Sequence, residues 1–400
     1  MLEVDEALAK VLCQVSPLES EKVALSNAMG RTLAVDAVSD VDSPPHDKSL
    51  VDGYAVQAND LRDGFASLEV IEEITAGQVP SRTLNPGQTA RIMTGAPIPP
   101  GADAVVMVED VVASESSQDR VTLRSQIAAG QNLQKRCAIM RSGETILKAG
   151  TLLHPTHIGL LAETGNAFPI VHRQPSVAIL PTGDELVDPT SVPGPGQIRN
   201  SNGPMLAAIS TANRARPLIL GVGRDNESEL ASHIKNGLEH DVFLLSGGVS
   251  MGTKDYVPNL LVECGVQAIF HKIQLRPGKP LWFGIHERND KKTFVFGLPG
   301  NPVSSFVCAS IFVRPVLEML CGLPVQDRKA TKQLSCDFEA KGRRTAYLPA
   351  RHCPDDSNCI KVLPWQGSAD QRVFAEADCL AIFQNPGRYV EGDSIEVLSI

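Results

Sequence analysis

Four stretches of the 400-residue chain concentrate residue types that could handle a charged ligand. They are Thr182-Gly183-Asp184-Glu185, Gly223-Arg224-Asp225-Asn226, the run from Ser246 to Gly252 followed by Asp255, and Gly297-Leu298-Pro299-Gly300-Asn301-Pro302. Small residues such as Gly247, Gly248 and Ser250 free backbone N–H groups to face an anion. The same density would also suit a plain tight turn. Single loop acids are usually just solvated. Asp184, Glu185, Asp225 and Asp255 gain weight because they recur beside one expected phosphate cradle, where they would repel the ligand unless a cation lies between. Mg²⁺ is the natural choice, since it takes oxygen ligands and bridges phosphate to carboxylate. The segment from His271 to Pro280 supplies the opposite sign. Its Lys272, Arg276 and Lys279, stiffened by Pro277-Gly278, are expected to form an oxyanion pocket. Together these residues imply a phosphate-containing ligand, Mg²⁺ and a second anion.

Other chemistries find less support. There is no Walker A loop, and Gly221 and Gly223 lack the third glycine of a dinucleotide fingerprint. No Ser-His-Asp or Cys-His arrangement stands out, so nucleophilic catalysis is not indicated. His352, Cys353 and Cys359 are the nearest approach to a metal cluster, at a spacing that suits no standard zinc motif.

Each chemical stretch needs an element to hold it. Apolar runs at Val177–Leu180, Leu218–Val222, Val242–Leu245 and Phe294–Phe296 precede the four loops, and helical patterns follow, the last through Leu320. Repeated βα units of this kind predict a doubly wound, mostly parallel sheet with helices on both faces. Its loops should gather outside the carboxyl ends of the strands. From Pro44 to about Met140 the pattern changes to short β-type runs between turn signals, which reads as a small inserted β-rich domain. The flanking segments, an amphipathic helix at the start and another helix over 156–165, predict an elongated, discontinuous N-terminal domain. After Cys321 the pattern returns to β runs and turns. The expected organisation is therefore multidomain α/β plus β: residues 1–45 and 141–175 as the discontinuous N-terminal domain, 46–140 as the insert, 176–325 as the central α/β domain, and 326–400 as a C-terminal β-domain.

Composition narrows the class further. Apolar residues make up 42% of the chain, enough for sizeable cores, and exclude a disordered protein. A net charge of −9 without an offsetting basic face argues against nucleic acid or an anionic membrane as the main partner. The start lacks the basic-then-apolar order of a signal peptide, and the apolar stretch 303–313 is too short to span a bilayer. Nine cysteines, an odd number without a close C-x-x-C pair, fit reduced thiols, so the expected compartment is the cytoplasm.

At these loops the sequence resembles the molybdopterin molybdenumtransferase family, the bacterial MoeA proteins and the E domain of gephyrin. The resemblance rests on the segments 91–97 with 101–106, Thr182-Gly183-Asp184-Glu185-Leu186, Ser246-Gly247-Gly248-Val249-Ser250 with Asp255-Tyr256, Pro277-Gly278-Lys279-Pro280, and 297–304, in the family's order and spacing. It implies an enzyme that inserts molybdate into adenylylated molybdopterin with release of AMP, dependent on Mg²⁺. It also implies a homodimer with a site shared between subunits. Carried over by position, Asp52 and Thr94 match active-site positions from the N-terminal half. Glu185, Asp225 and Asp255 match the acids around nucleotide, pterin phosphate and metal. Lys272, Arg276, Lys279, Ser304, Arg344 and Ser368 match binding positions, with Gly247, Gly248 and Ser250 in the phosphate loop. Arg276 stands where the family usually has Lys. The resemblance further implies encounters with a molybdopterin adenylyltransferase and with cofactor-accepting enzymes. Two alternatives share parts of the pattern: an adenylyltransferase, which has the same α/β domain, and a non-catalytic pterin-binding scaffold.

Overall fold

The computed structural model describes residues 1–115, 119–224, 226–248 and 257–400. The chain gathers into two compact units. One holds Met1–Val35, Ala149–His154 and Ile170–Ile400, and the other holds Asp36–Lys148 and Pro155–Pro169.

At the centre of the first unit lies a six-stranded sheet. Its strands are β1 (Ser176–Pro181), β2 (Arg216–Ile219), β3 (Val242–Ser246), β4 (Gln267–His271), β5 (Trp282–Arg288) and β6 (Lys291–Leu298), in the order β2-β1-β3-β6-β5-β4. The first four of that order run parallel, and β5 is antiparallel to both of its neighbours. Strands β1 and β3 are near-continuous apolar runs because both faces are covered. Val177, Ile179, Val242, Leu244, Phe294 and Phe296 enter one core, together with Leu206 of helix α1 (Asn202–Ala212). The intervening Ala178, Leu180, Phe243, Leu245 and Val295 enter a second core. There they meet Leu230 and Ile234 of α2 (Glu227–Gly237) and Leu260 and Leu261 of α3 (Val257–Glu263). The doubly wound, mostly parallel sheet expected from the sequence is present.

Local chemistry explains the ends of these elements. The Asn226 side chain accepts hydrogen bonds from the Ser228 and Glu229 amides at 3.0 and 3.2 Å, which starts α2. Asn289 and Asp290 both take positive φ, 49° and 62°, the conformation a two-residue hairpin needs between β5 and β6. Strand β2 ends at Ile219, three residues before the apolar run does. A continuous helical stretch follows β6: α4 (Pro302–Cys308), a π turn over Ala309–Val313, and α5 (Arg314–Leu320). Its 19 residues are long enough, and an 18-residue window of them apolar enough (mean hydropathy 1.6), to cross a membrane, yet 72% of that window is buried in the fold. It is a core helix, packed through Val307, Phe312 and Leu317 against the sheet.

The last part of the first unit is a closed β-barrel. Lys329–Leu334, Thr345–Cys353, Asp356–Val362, Cys379–Phe383 and Ser394–Ser399 pair in a ring, completed where Thr345–Cys353 also pairs with Cys379–Phe383. Closure leaves no free edges, and Leu348, Ala350, Ile360, Phe383 and Val397 fill the interior.

The second unit is built on another six-stranded sheet, in the order Ala104–Met107, Gly53–Val56, Gln88–Ile92, Ala66–Ile74, Arg120–Leu123, Val111–Glu115. Gly53 sits where two strands approach closely: a Cβ there would lie 1.9 Å from the Val106 carbonyl oxygen. The helix Pro155–Glu163 belongs to this unit, with Ser43 Oγ donating to Glu163 at 2.8 Å.

Candidate active site

The strand order reverses direction between β1 and β3, because the chain leaves β1 for β2 on one side and continues from β3 toward β6 on the other. Open α/β sheets carry their ligand sites in such a crevice, outside the carboxyl ends of the strands. A cavity of about 630 Å³ lies there, within the size range of small-molecule sites. Thr182, Gly183 and Glu185 after β1, Gly247 and Gly248 after β3, and Pro299 to Pro302 after β6 line it. Three of the four loops singled out in the sequence thus meet at one place.

The loop after β1 is held by Arg224, whose guanidinium donates to the carbonyls of Asp184 at 3.0 Å and Leu186 at 3.2 Å. Thr182 closes the floor by donating its backbone N–H to the Ser246 carbonyl at 2.8 Å. Of the expected acids, Glu185 lines the cavity, and Asp184, its exposed neighbour, does not. Asp225, Ser250 and Asp255 lie outside the described residues.

The basic segment has a more specific structure than a free loop. Lys272 donates its amide to the Leu281 carbonyl and Ile273 its amide to Lys279, which folds the segment into a tight hairpin. Lys279 is exposed, and the next residue, Pro280, lines the cavity. Arg276 turns toward the barrel. Leu275–Arg276 pairs in parallel with Thr345–Ala346, and the Arg276 guanidinium donates to the Lys341 carbonyl. Arg344 answers by donating to the Leu275 carbonyl at 2.9 Å. Arg276 and Arg344, far apart in sequence, therefore share one strand junction. Ser368 accepts from the Val303 amide through its carbonyl at 3.2 Å, next to the cavity-lining Ala369. Ser304 is buried in α4, 5% exposed, and is not among the lining residues.

In the second unit Asp52 and Thr94 form a pair of their own. Asp52 Oδ1 accepts from the Thr94 amide at 2.6 Å and from its hydroxyl at 2.7 Å. The amide, with the hydroxyl second, holds this exposed carboxyl below its ordinary range, so it is an anion at neutral pH.

The cysteine-rich hairpin of the barrel divides differently from its sequence spacing. The neighbouring Cys353, with loss of solvent second, pushes the Cys359 thiol up to about 11. His352 instead faces Asp378 and Cys379, with its Nδ1 2.8 Å from Asp378 Oδ1.

Several cavity residues were not anticipated from the sequence. Asn200, Ser201 and Asn202 lie at the start of α1 and line the wall, as does Arg199, the cavity's one lining cation among the described residues. Asn200 Oδ1 accepts from the Gly203 amide at 3.0 Å. The available signal was the Asn-Ser-Asn run itself, since such residues favour helix starts.

Comparison with known proteins places this geometry. The description "MoeA N-terminal region (domain I and II)" matches residues 2–165, "Probable molybdopterin binding domain" matches 178–319, and "MoeA C-terminal region (domain IV)" matches 331–400. A molybdopterin molybdenumtransferase of Staphylococcus aureus is 32% identical over 99% of this chain and 95% of its own. The chain belongs to the MoeA family. A Nostoc molybdopterin molybdenumtransferase is 39% identical over 77% of this chain and 71% of its own. The crystal structure of the molybdopterin biosynthesis MoeA protein of Pyrococcus horikoshii matches 100% of this chain and 99% of its own, with a TM-score of 0.85 at 29% identity. In this MoeA-family chain the molybdopterin-binding match coincides with the sheet whose strand ends build the cavity.

Proposed function

We propose that this protein inserts molybdate into adenylylated molybdopterin, releasing AMP and giving the molybdenum cofactor. The observation that carries this reading is the cavity at the β1/β3 switch point, built inside the segment that matches a molybdopterin binding domain, in a chain similar end to end to named molybdopterin molybdenumtransferases. The adenylyltransferase alternative is not favoured, because the similarity runs through the flanking regions as well as the α/β domain, and the scaffold alternative is not favoured, because the relatives similar to this chain are named as molybdenumtransferases.

The donors around the cavity suit a hard cation. Glu185 contributes a carboxylate, Thr182 a hydroxyl and Asn200 an amide, with no thiolate or imidazole among the described lining residues. Mg²⁺ prefers such oxygen donors. We assign Glu185, together with Asp225 and Asp255, to hold it, and bound Mg²⁺ would neutralise the phosphoanhydride. In the same reading the Gly247-Gly248 turn, with Ser250, receives phosphate. Lys279, with Lys272, receives molybdate, a dianion that needs fixed positive charge once it leaves water, while Arg276 and Arg344 at the barrel junction, and Ser368 against the start of the helix that holds Ser304, position that segment. Asp52 and Thr94 complete the site from the second subunit of a homodimer. The protein works in the cytoplasm, taking its substrate from a molybdopterin adenylyltransferase and passing the product to cofactor-accepting enzymes. The test supplies adenylylated molybdopterin, molybdate and Mg²⁺ and follows AMP release with cofactor formation. Insertion gives both together. Adenylylation of free molybdopterin, or binding without turnover, would overturn the reading.

A further inference from the structure

Asn202 stands at the first turn of α1, 8% exposed, in the wall of the cavity. Its Nδ2 group has two protons and two acceptors: Ser246 Oγ at 2.6 Å and the Gly300 carbonyl at 2.7 Å. The orientation of the amide is thereby fixed, because a carbonyl oxygen such as that of Gly300 can only accept. Its other end, Oδ1, is buried and has no hydrogen-bond partner among the described residues. Buried acceptors are nearly always paired, so one held unpaired at the wall of a ligand cavity points to a donor that arrives with the ligand.

The chemistry of that donor can be narrowed. Oδ1 accepts only, so phosphate and molybdate oxygens, which bring lone pairs and no proton at neutral pH, would be repelled there. With the cation assigned to the acidic residues, the group that suits this atom is a neutral donor on the ligand's uncharged end. It must also be thin enough to reach an atom almost closed to water. The exocyclic amine at the edge of a flat heterocycle satisfies both conditions. Resting on the function proposed above, we infer that Asn202 is a specificity-determining residue, whose Oδ1 accepts a hydrogen bond from the exocyclic amino group of the bound heterocycle. An adenine and a pterin both carry such an amine. The anionic parts of the ligand then lie away from this wall.

A site built around a hydrogen bond rejects an analogue that lacks the donor, because the buried acceptor stays unpaired. Titration calorimetry on the unmodified protein therefore compares two pairs: AMP with purine riboside monophosphate, and 6-hydroxymethylpterin with 6-hydroxymethyllumazine. In each pair the second compound lacks the amine. The expected result is at least a tenfold preference for the amine in one pair, which identifies the heterocycle, and little preference in the other. Asn202→Ala should reduce that preference to less than threefold, and the wild-type comparison decides the matter even if this variant folds poorly. Binding of AMP or pterin without preference in either pair overturns the role of Asn202 and leaves the proposed function standing. A protein that binds none of the four compounds overturns the proposed function, and this inference with it.

Discussion

Substituting Gly247 by Ala tests whether the cavity floor is as tight as its geometry requires. Gly247 follows β3 with φ of 98°, a conformation L side chains rarely adopt, and a Cβ there would lie 2.6 Å from the Thr182 carbonyl oxygen and 2.9 Å from its hydroxyl. The left-handed backbone costs about 1–2 kcal/mol for a residue with a Cβ. Forcing the methyl against a backbone oxygen adds about 1–3 kcal/mol, while the stiffer unfolded chain returns about 0.4–1 kcal/mol. The net loss is about 1–5 kcal/mol, felt where Thr182 meets Ser246. Gly300 provides the control. It is exposed, its φ is not positive, and its Cβ would meet only the Gly247 Cα at 3.6 Å, an ordinary contact. Gly300→Ala should therefore change stability by no more than about 0.5 kcal/mol.

The chain carries two tryptophans, and Trp282 on β5 is 2% exposed and packed in the core shared by β1 and β3. In a Trp365→Phe background its fluorescence reports unfolding of the central sheet in urea. The global transition of a chain with several cores need not be two-state, which is why a local reporter is preferable. Equal urea midpoints for Gly247→Ala and Gly300→Ala would refute the close approach on which the shape of the cavity depends.

Three further outcomes are expected. Asp42, its carboxyl lowered to about 2 first by the Ser142 amide and then by Arg136, contributes stability that is present above the ordinary carboxylate range and is lost as pH falls from about 4 to about 2; Asp42→Asn should flatten the acid unfolding curve over that window, read by circular dichroism. Asp241 loses solvent by burial, but the paired Arg173 and the Ser176 hydroxyl and amide outweigh this and keep its pKa low; Asp241→Asn should lower the urea stability of the first unit by about 2–4 kcal/mol, and an unchanged midpoint would remove this network from the account of the sheet's entry. Mixing an Asp52→Ala chain with a Glu185→Gln chain should restore part of the turnover that each lacks alone, and no rescue after subunit exchange would exclude a site shared between subunits.

The central sheet was legible because its constraint is written locally. A strand covered on both faces must be apolar at every position, and Val177–Leu180 and Val242–Leu245 announce themselves in that way. The loops that follow them had to meet once the strands were parallel, so the position of Glu185 and Gly247 at the cavity followed from the sequence. The closed ring of the C-terminal strands did not. Short alternating strands specify an inside and an outside but not their partners, and the ring depends on Thr345–Cys353 pairing with two strands at once.

Arg276 and Asn202 mark where reading from sequence ran out, for different physical reasons. Three cations in one segment suggested one anion pocket, but a side chain's destination depends on acceptors elsewhere. Arg276 is drawn to a carbonyl at Lys341, 65 positions away, while Lys279 stays exposed. In the structure, then, the basic segment does two jobs: it fastens the barrel to the α/β domain and leaves one exposed lysine beside Pro280 at the cavity wall. Asn202 is harder still to anticipate. Asparagine before a helix reads as a cap, and its neighbour Asn200 does accept from the Gly203 amide. Only the tertiary fold, by bringing Ser246 and Gly300 to either proton of Nδ2, converts Asn202 from a residue that serves its own helix into one whose remaining oxygen is buried without a partner among the described residues.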